Sequence, residues 1–268
     1  MISLLLKNQE FQEFFYNNVL YESFLNKHKW YKESRFFKKL EQKLNIEDLY
    51  KKHLSFENEL LQDHILEKHW NNIIKKLNIF GKKKGDVTNY KGVINDFLKP
   101  SLFYYYSLIR IIKPKNILET GVAAGISSSL ILSALKKNNL GKLTSIDLPP
   151  KTGMAPSRLN DNEVGCLIPK NYYSQWNFIQ GDAKKKLTDV LISKKPEIFI
   201  HDSLHDYSHM MFEYISSWSI MGKNKIILSD DILLGIKKNK KAWFDFLKIT
   251  GLEGIGNLKK ENFGITFT

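Results

Sequence analysis

Five short apolar runs in this chain each end in, or run into, an acidic residue. "NIL" meets Glu119, "LTSI" meets Asp147, "NFIQG" meets Asp182, "IFIH" meets Asp202, and "IILS" meets Asp230 and Asp231. A buried carboxylate is costly without a partner, so a set of such ends points to ligands more than to packing. Asp202, Asp230 and Asp231 would repel one another at close range unless a cation or protons neutralised them. An oxygen-rich set of this kind suits Mg2+, or Mn2+ or Ca2+, and not zinc.

The first run continues as "ETGVAAGISSS", with Gly121 and Gly125 ahead of a small-residue segment. A mononucleotide-phosphate loop would need a glycine where Ile126 stands and a lysine after it. A dinucleotide loop would need a glycine at position 123, which is Ala. What remains is a ligand without phosphate that still requires close backbone approach, and S-adenosylmethionine has that chemistry. Its ammonium suits Glu119, its ribose diol suits Asp147 and its adenine amine suits Asp182, in chain order. Gly121 and Gly125 would spare the ligand a collision with a Cβ. Ser127 and Asp202 complete the expected cofactor-binding set.

To bring these residues together, the strands must all end on one side of a sheet. The pattern predicts strands at 116–120, 142–148, 176–180, 197–202 and 225–230, with helices at 125–138, 182–194, 206–220 and 239–249. Such alternation implies βαβ units, a mostly parallel sheet covered on both faces, and a ligand outside the carboxyl ends of the strands. "PSLFYYYSLIRIIKP" reads as a helix opened by Pro100 and closed near Pro114. The tail "GLEGIGNLKKENFGITFT" reads as a hairpin with "NLKKEN" near its turn.

Residues 1–95 read as helical, with apolar steps of three and four in "EFQEFFYNNVLYESFL", "YKESRFFKKLEQKL" and "ENELLQDHILEKHWNNIIKKL". "FGKKKGDVTNYKG" interrupts them as a loop. The expected organisation is a helical extension over 1–95, acting as a cap or oligomerisation element, and a ligand-binding domain over 96–268. The long segment "PPKTGMAPSRLNDNEVGCLIPKNYYSQW" beside Asp147 is a candidate lid. His28, His53, His64 and His69 are expected on surfaces. Asp206, Tyr207 and His209 are expected at a helix start and in packing, and "MMFEYISSW" in the core.

Composition narrows the class. With 268 residues, 43% of them hydrophobic, the chain can build a sizeable core. The single cysteine, Cys166, excludes an internal disulfide and a cysteine-based zinc site, and a reducing cytoplasm is the expected setting. No apolar run approaches the about 18 residues of a membrane span, and "MISLLLKNQEF" lacks the flanks of a secretory signal. The net charge of +13 comes from lysines spread along the chain. Composition explains that spread better than a nucleic-acid site does, and charge alone does not establish nucleic acid as a partner.

Taken together, "ETGVAAGISS", "SIDLP", "IQGDA", "FIHDSLHDYSHMMFEY" and "ILSDDI" resemble class I S-adenosylmethionine-dependent methyltransferases over residues 100–268. Within that class they resemble metal-dependent bacterial small-molecule O-methyltransferases of the macrolide-sugar type. The resemblance implies a doubly wound, mostly parallel, seven-stranded Rossmann-like α/β sheet. It implies Mg2+ held by Asp202, Asp230 and Asp231. It also implies His205, three residues beyond Asp202, as general base, with Asp202 at the catalytic centre. Catechol-type relatives pair Asp with Asn, so the Asp230–Asp231 pair leans to the sugar-type branch. His201, standing between the apolar run and Asp202, departs from the pattern.

The expected reaction is O-methylation of a small hydroxylated acceptor. An RNA or protein methyltransferase docking through its charge, and a non-catalytic cofactor-binding assembly protein, are the alternatives. The chain lacks an Asn-Pro-Pro-Tyr motif, and its strand-end acids and His205 are intact, which favours the first reading.

Overall fold

The computed structural model describes residues 35–77, 100–149, 164–232, 239–256 and 263–268. The expected helix at 10–25, the loop at 80–92, residues 150–163 of the candidate lid, His28 and the "NLKKEN" turn lie outside the described residues. The chain divides into two compact units, one ending at Lys52 and the other spanning His53–Thr268.

The first unit contains helix α1 (Arg35–Leu44) and the opening turn of α2 (Leu49–Leu61). Asn45 takes a left-handed φ of 50°, which ends α1. Glu41 then accepts the backbone N–H of Leu49 at 3.0 Å, at the start of α2.

The second unit begins within α2 and continues into α3 (His64–Leu77). The pattern from 57 to 77 reads as continuous amphipathic helix, but the structure breaks it at Asp63. The Asp63 carboxylate accepts the N–H groups of Ile65 and Leu66 at 3.1 and 3.0 Å, capping α3. Its other oxygen accepts the hydroxyls of Ser133 and Tyr172, which anchors the cap to the rest of the unit. His53 and His69 are not surface residues. His53 is 1% exposed and bonds Ser107 at 2.6 Å, and the half-buried His69 donates to the Cys166 carbonyl at 2.8 Å. Helical periodicity marks a face as polar, but it does not say which polar side chains will find a buried partner.

The sheet follows the predicted alternation. Strands β1 (Asn116–Thr120), β2 (Lys142–Asp147), β3 (Trp176–Gln180), β4 (Ile198–His201) and β5 (Ile226–Ser229) are parallel. The hairpin strands β6 (Gly254–Gly256) and β7 (Gly264–Phe267) pair antiparallel to each other, and β7 pairs antiparallel to β5. The order across the described sheet is β3-β2-β1-β4-β5-β7-β6. Strand order therefore reverses between β1 and β4, where open α/β sheets hold their ligands.

Helix α4 (Pro100–Ile112) starts at a proline and stops where Lys113 turns left-handed, just before Pro114. It packs on α5 (Ile126–Asn138). Helices α6 (Ala183–Lys194), α7 (Tyr207–Met221) and α8 (Asn239–Thr250) cover the other face. There Leu118, Phe199, Met210, Tyr214, Ile227, Trp243 and Phe246 form a continuous apolar cluster. Strand alternation assigns each residue to a face: Leu118 and Thr120 look toward α7, whereas Glu119 looks toward α5. Met210 and Tyr214 in the core agree with the reading of "MMFEYISSW".

Candidate functional site

The acids lie at the carboxyl ends of the strands or in the loops that follow, on one rim of the sheet, because the five parallel strands point the same way. The glycine loop is closed by the chain itself. Asp147, at the end of β2, accepts the N–H groups of Val122 and Ala123 through Oδ2, both at 2.8 Å. Gly121 has φ 87°, and a Cβ there would collide with the Asp202 carbonyl. Gly125 has φ 86°, and its Cβ would stand 2.9 Å from the Cα of Gly165. Both glycines are thus required by close approach of the chain's own segments: the loop after β4 in one case and residues 165–168 in the other. The N–H groups of Gly165 and Leu167 extend that second contact, donating to the carbonyls of Ala123 and Ala124 at 2.8 and 2.9 Å.

Glu119 is 0% exposed at the switch point. Ser127 donates to its Oε1 at 2.9 Å, while Ser128 and Ser145 donate to Oε2 at 2.6 and 2.9 Å. Burial pushes its pKa up and the charge of Asp147 adds to that. The three serine hydrogen bonds oppose them, and the carboxyl settles at about 7. Ser127 is therefore a ligand of Glu119. Asp182 caps α6 by accepting the Lys184 N–H at 2.9 Å, and Asp206 caps α7 through the Ser208 N–H at 3.0 Å.

On the α7 face of the rim lies a buried polar network that the sequence pattern did not isolate. Thr120, His201 and Ser229 are lateral neighbours across β1, β4 and β5. Above them, α7 supplies His209, Glu213 and Tyr214. Glu213 is 0% exposed and accepts four hydrogen bonds. His201 Nδ1 and the Thr120 hydroxyl donate to Oε2 at 2.5 and 2.7 Å. His209 Nε2 and the Ser203 hydroxyl donate to Oε1 at 2.8 and 3.0 Å. An ionised carboxylate only accepts, so both histidine nitrogens facing it carry protons. Burial alone would raise the Glu213 pKa. The charge and hydrogen bond of His201, followed by those of His209, outweigh burial and hold it at about 2. A signal was present in the sequence: Glu213 stands four residues after His209, one helical turn on. It was hidden because the stretch reads as core.

His205 lies half-buried in the loop between β4 and α7, its ring edge-to-face with His201 at 5.3 Å. Asp202 and Asp230 are half-buried at the ends of adjacent strands, and Asp231 follows with a left-handed φ of 52°. Among the described residues, no three His, Cys, Asp or Glu side chains form a group that could hold a metal ion.

Residues 118–232 match a family model described as a methyltransferase domain. No curated protein matches the chain. Several solved structures share the fold. A Staphylococcus aureus protein proposed to be a caffeoyl-CoA O-methyltransferase is 16% identical, with a TM-score of 0.54 over 82% of this chain and 100% of the other. A proposed O-methyltransferase from Klebsiella pneumoniae is 13% identical, with a TM-score of 0.53 over 80% of this chain and 96% of the other. TomG of Streptomyces achromogenes, an O-methyltransferase of tomaymycin synthesis solved with S-adenosylmethionine, is 13% identical, with a TM-score of 0.51 over 77% of this chain and 90% of the other.

Proposed function

We infer, from the match of residues 118–232 to a methyltransferase domain and from the strand-end acids, an S-adenosylmethionine-dependent O-methyltransferase acting on a small hydroxylated acceptor. The observation that carries this reading is the row of acids at successive strand ends around the β1/β4 switch point. The residues suit the cofactor. Glu119 and Asp202 supply negative charge for an ammonium. Asp147 offers a carboxylate at the end of β2 for a diol, and Asp182 stands at the next strand end for the adenine amine. S-adenosylmethionine supplies an electrophilic methyl group on a sulfonium.

The chain's own residues then have defined tasks. Asp147 holds the glycine loop in place through two amides, which fixes the backbone facing the cofactor. Glu213 holds the ends of β1 and β4 and, through Ser203, the loop that carries His205. His205 takes the proton from the acceptor hydroxyl, whose oxygen bonds to the methyl carbon as the carbon–sulfur bond breaks. The protein contributes mainly orientation of the two reactants. The three acids expected to hold a metal, Asp202, Asp230 and Asp231, do not form a coordination group among the described residues.

Isothermal titration with S-adenosylhomocysteine tests the cofactor, and release of that product over a panel of hydroxylated small molecules tests the acceptor class. Absence of binding would sink the proposal. Turnover that survives His205→Ala removes His205 from its role. Turnover abolished by EDTA and restored by Mg2+ would return the ion to the mechanism.

A further inference from the structure

Tyr105 sits in α4 with 0% exposure, and its hydroxyl has no hydrogen-bond partner among the described residues. Its ring packs edge-on against Phe263 at 5.3 Å. Three other buried tyrosines bond their hydroxyls. Tyr106 donates to Glu59 at 2.6 Å, Tyr172 to Asp63 at 2.9 Å, and Tyr214 pairs with Ser229 at 2.6 Å. A buried hydroxyl without a bond is destabilising, and phenylalanine would fill the same space without that cost.

The surroundings of the hydroxyl indicate its use. Burial holds its pKa well above the ordinary tyrosine range, and the charges of Asp230, Asp202, Glu119 and Asp231 push it further the same way. Those four are the strand-end acids, and geometry agrees: Phe263, which packs on the Tyr105 ring, precedes Gly264, the partner of Ser229 at the end of β5, so Tyr105 lies beside the Asp230 end of the rim. Such a rim suits the ammonium of the methyl donor's amino-acid end but repels the carboxylate on the same carbon. That carboxylate needs a donor. The nearby serine hydroxyls of residues 127, 128 and 145 already donate to Glu119. A protonated phenol is a donor at this place and adds no charge.

We propose that Tyr105 is a cofactor-binding residue whose hydroxyl donates a hydrogen bond to the carboxylate of the methyl donor's amino-acid end. The inference rests on the methyltransferase reading above. Its test compares wild type with Tyr105→Phe by thermal melting without ligand. Isothermal titration follows, with S-adenosylhomocysteine and with 5′-methylthioadenosine, which lacks the amino-acid end. The variant is expected to melt at the same temperature or higher and to bind S-adenosylhomocysteine about five- to thirty-fold more weakly. Its affinity for 5′-methylthioadenosine is expected to be unchanged.

Equal S-adenosylhomocysteine affinity in the two proteins overturns the assignment. So does an equal loss for both ligands, which would mean a general distortion, and so does a lower melting temperature, which would mean a partner inside the protein. A wild type that binds neither ligand overturns the methyltransferase reading itself, a result distinct from the other three.

Discussion

Replacing Glu119 by glutamine separates what the buried acid does for binding from what it costs the fold. The carboxyl has a pKa of about 7 against an ordinary 4.5, and is 0% exposed. A carboxyl whose folded pKa lies above its unfolded value holds its proton more tightly when folded. Its favourable contribution is complete below about pH 4.5 and is lost as pH rises through about 7. The shift corresponds to about 3 kcal/mol, of which about 2 kcal/mol is lost between pH 5 and pH 8.

Glu119→Gln has nothing to ionise. Its amide can serve the three serines with one oxygen and two N–H groups, since hydroxyls rotate to donate or accept. Relative to wild type, the variant should therefore gain about 2 kcal/mol more at pH 8 than at pH 5. In a domain of this size that is about 4–8 °C of additional melting temperature. Glu213 titrates in both proteins and cancels from the difference.

Thermal melts of both proteins at the two pH values provide the measurement. A variant-minus-wild-type difference that is the same at pH 5 and pH 8 would refute the reasoning, because it would mean that Glu119 is ionised at little cost. If Glu119 also faces the cofactor's ammonium, the stabilised variant should bind S-adenosylhomocysteine more weakly, trading affinity for stability at one position.

Two further outcomes follow from the rim. Gly121→Ala must place a Cβ against the Asp202 carbonyl at φ 87°, so it should lose about 3 kcal/mol or more in urea unfolding or fail to fold. A loss below about 1 kcal/mol would show that the loop after β4 is not seated on the glycine loop. Glu213→Ala leaves two histidines and two hydroxyls without their acceptor and should cost about 3–5 kcal/mol. In wild type the same residue, with its pKa held at about 2, contributes stability above about pH 4.5 that is lost as pH falls toward 2. The alanine variant should therefore show a shallower acid-unfolding profile than wild type.

The alternation of apolar runs and helical segments was sufficient for the sheet. The five parallel strands and the helices between them lie within a residue or so of their expected bounds, because period-two and period-3.6 patterns report local geometry. The acids at strand ends were legible for the same reason, as was the helix start at Asp206, whereas the cap that Asp182 supplies to α6 was not expected. Tertiary packing decided matters that depend on contacts between distant segments. The turn at Asp63 is stabilised by Ser133 and Tyr172, far along the chain, so nothing in "LLQDHIL" alone announces a buried cap. The glycines at 121 and 125 make room for the chain's own backbone, which required knowing what folds over them.

Glu213 and Tyr105 both sit in apolar helical stretches whose composition reads as core. Only the folded arrangement reveals that one collects four donors, and that the other buries a hydroxyl without a partner among the described residues. Sequence periodicity records which face of an element is buried. Which polar atoms meet across that interface is set by the registration of elements far apart in the chain.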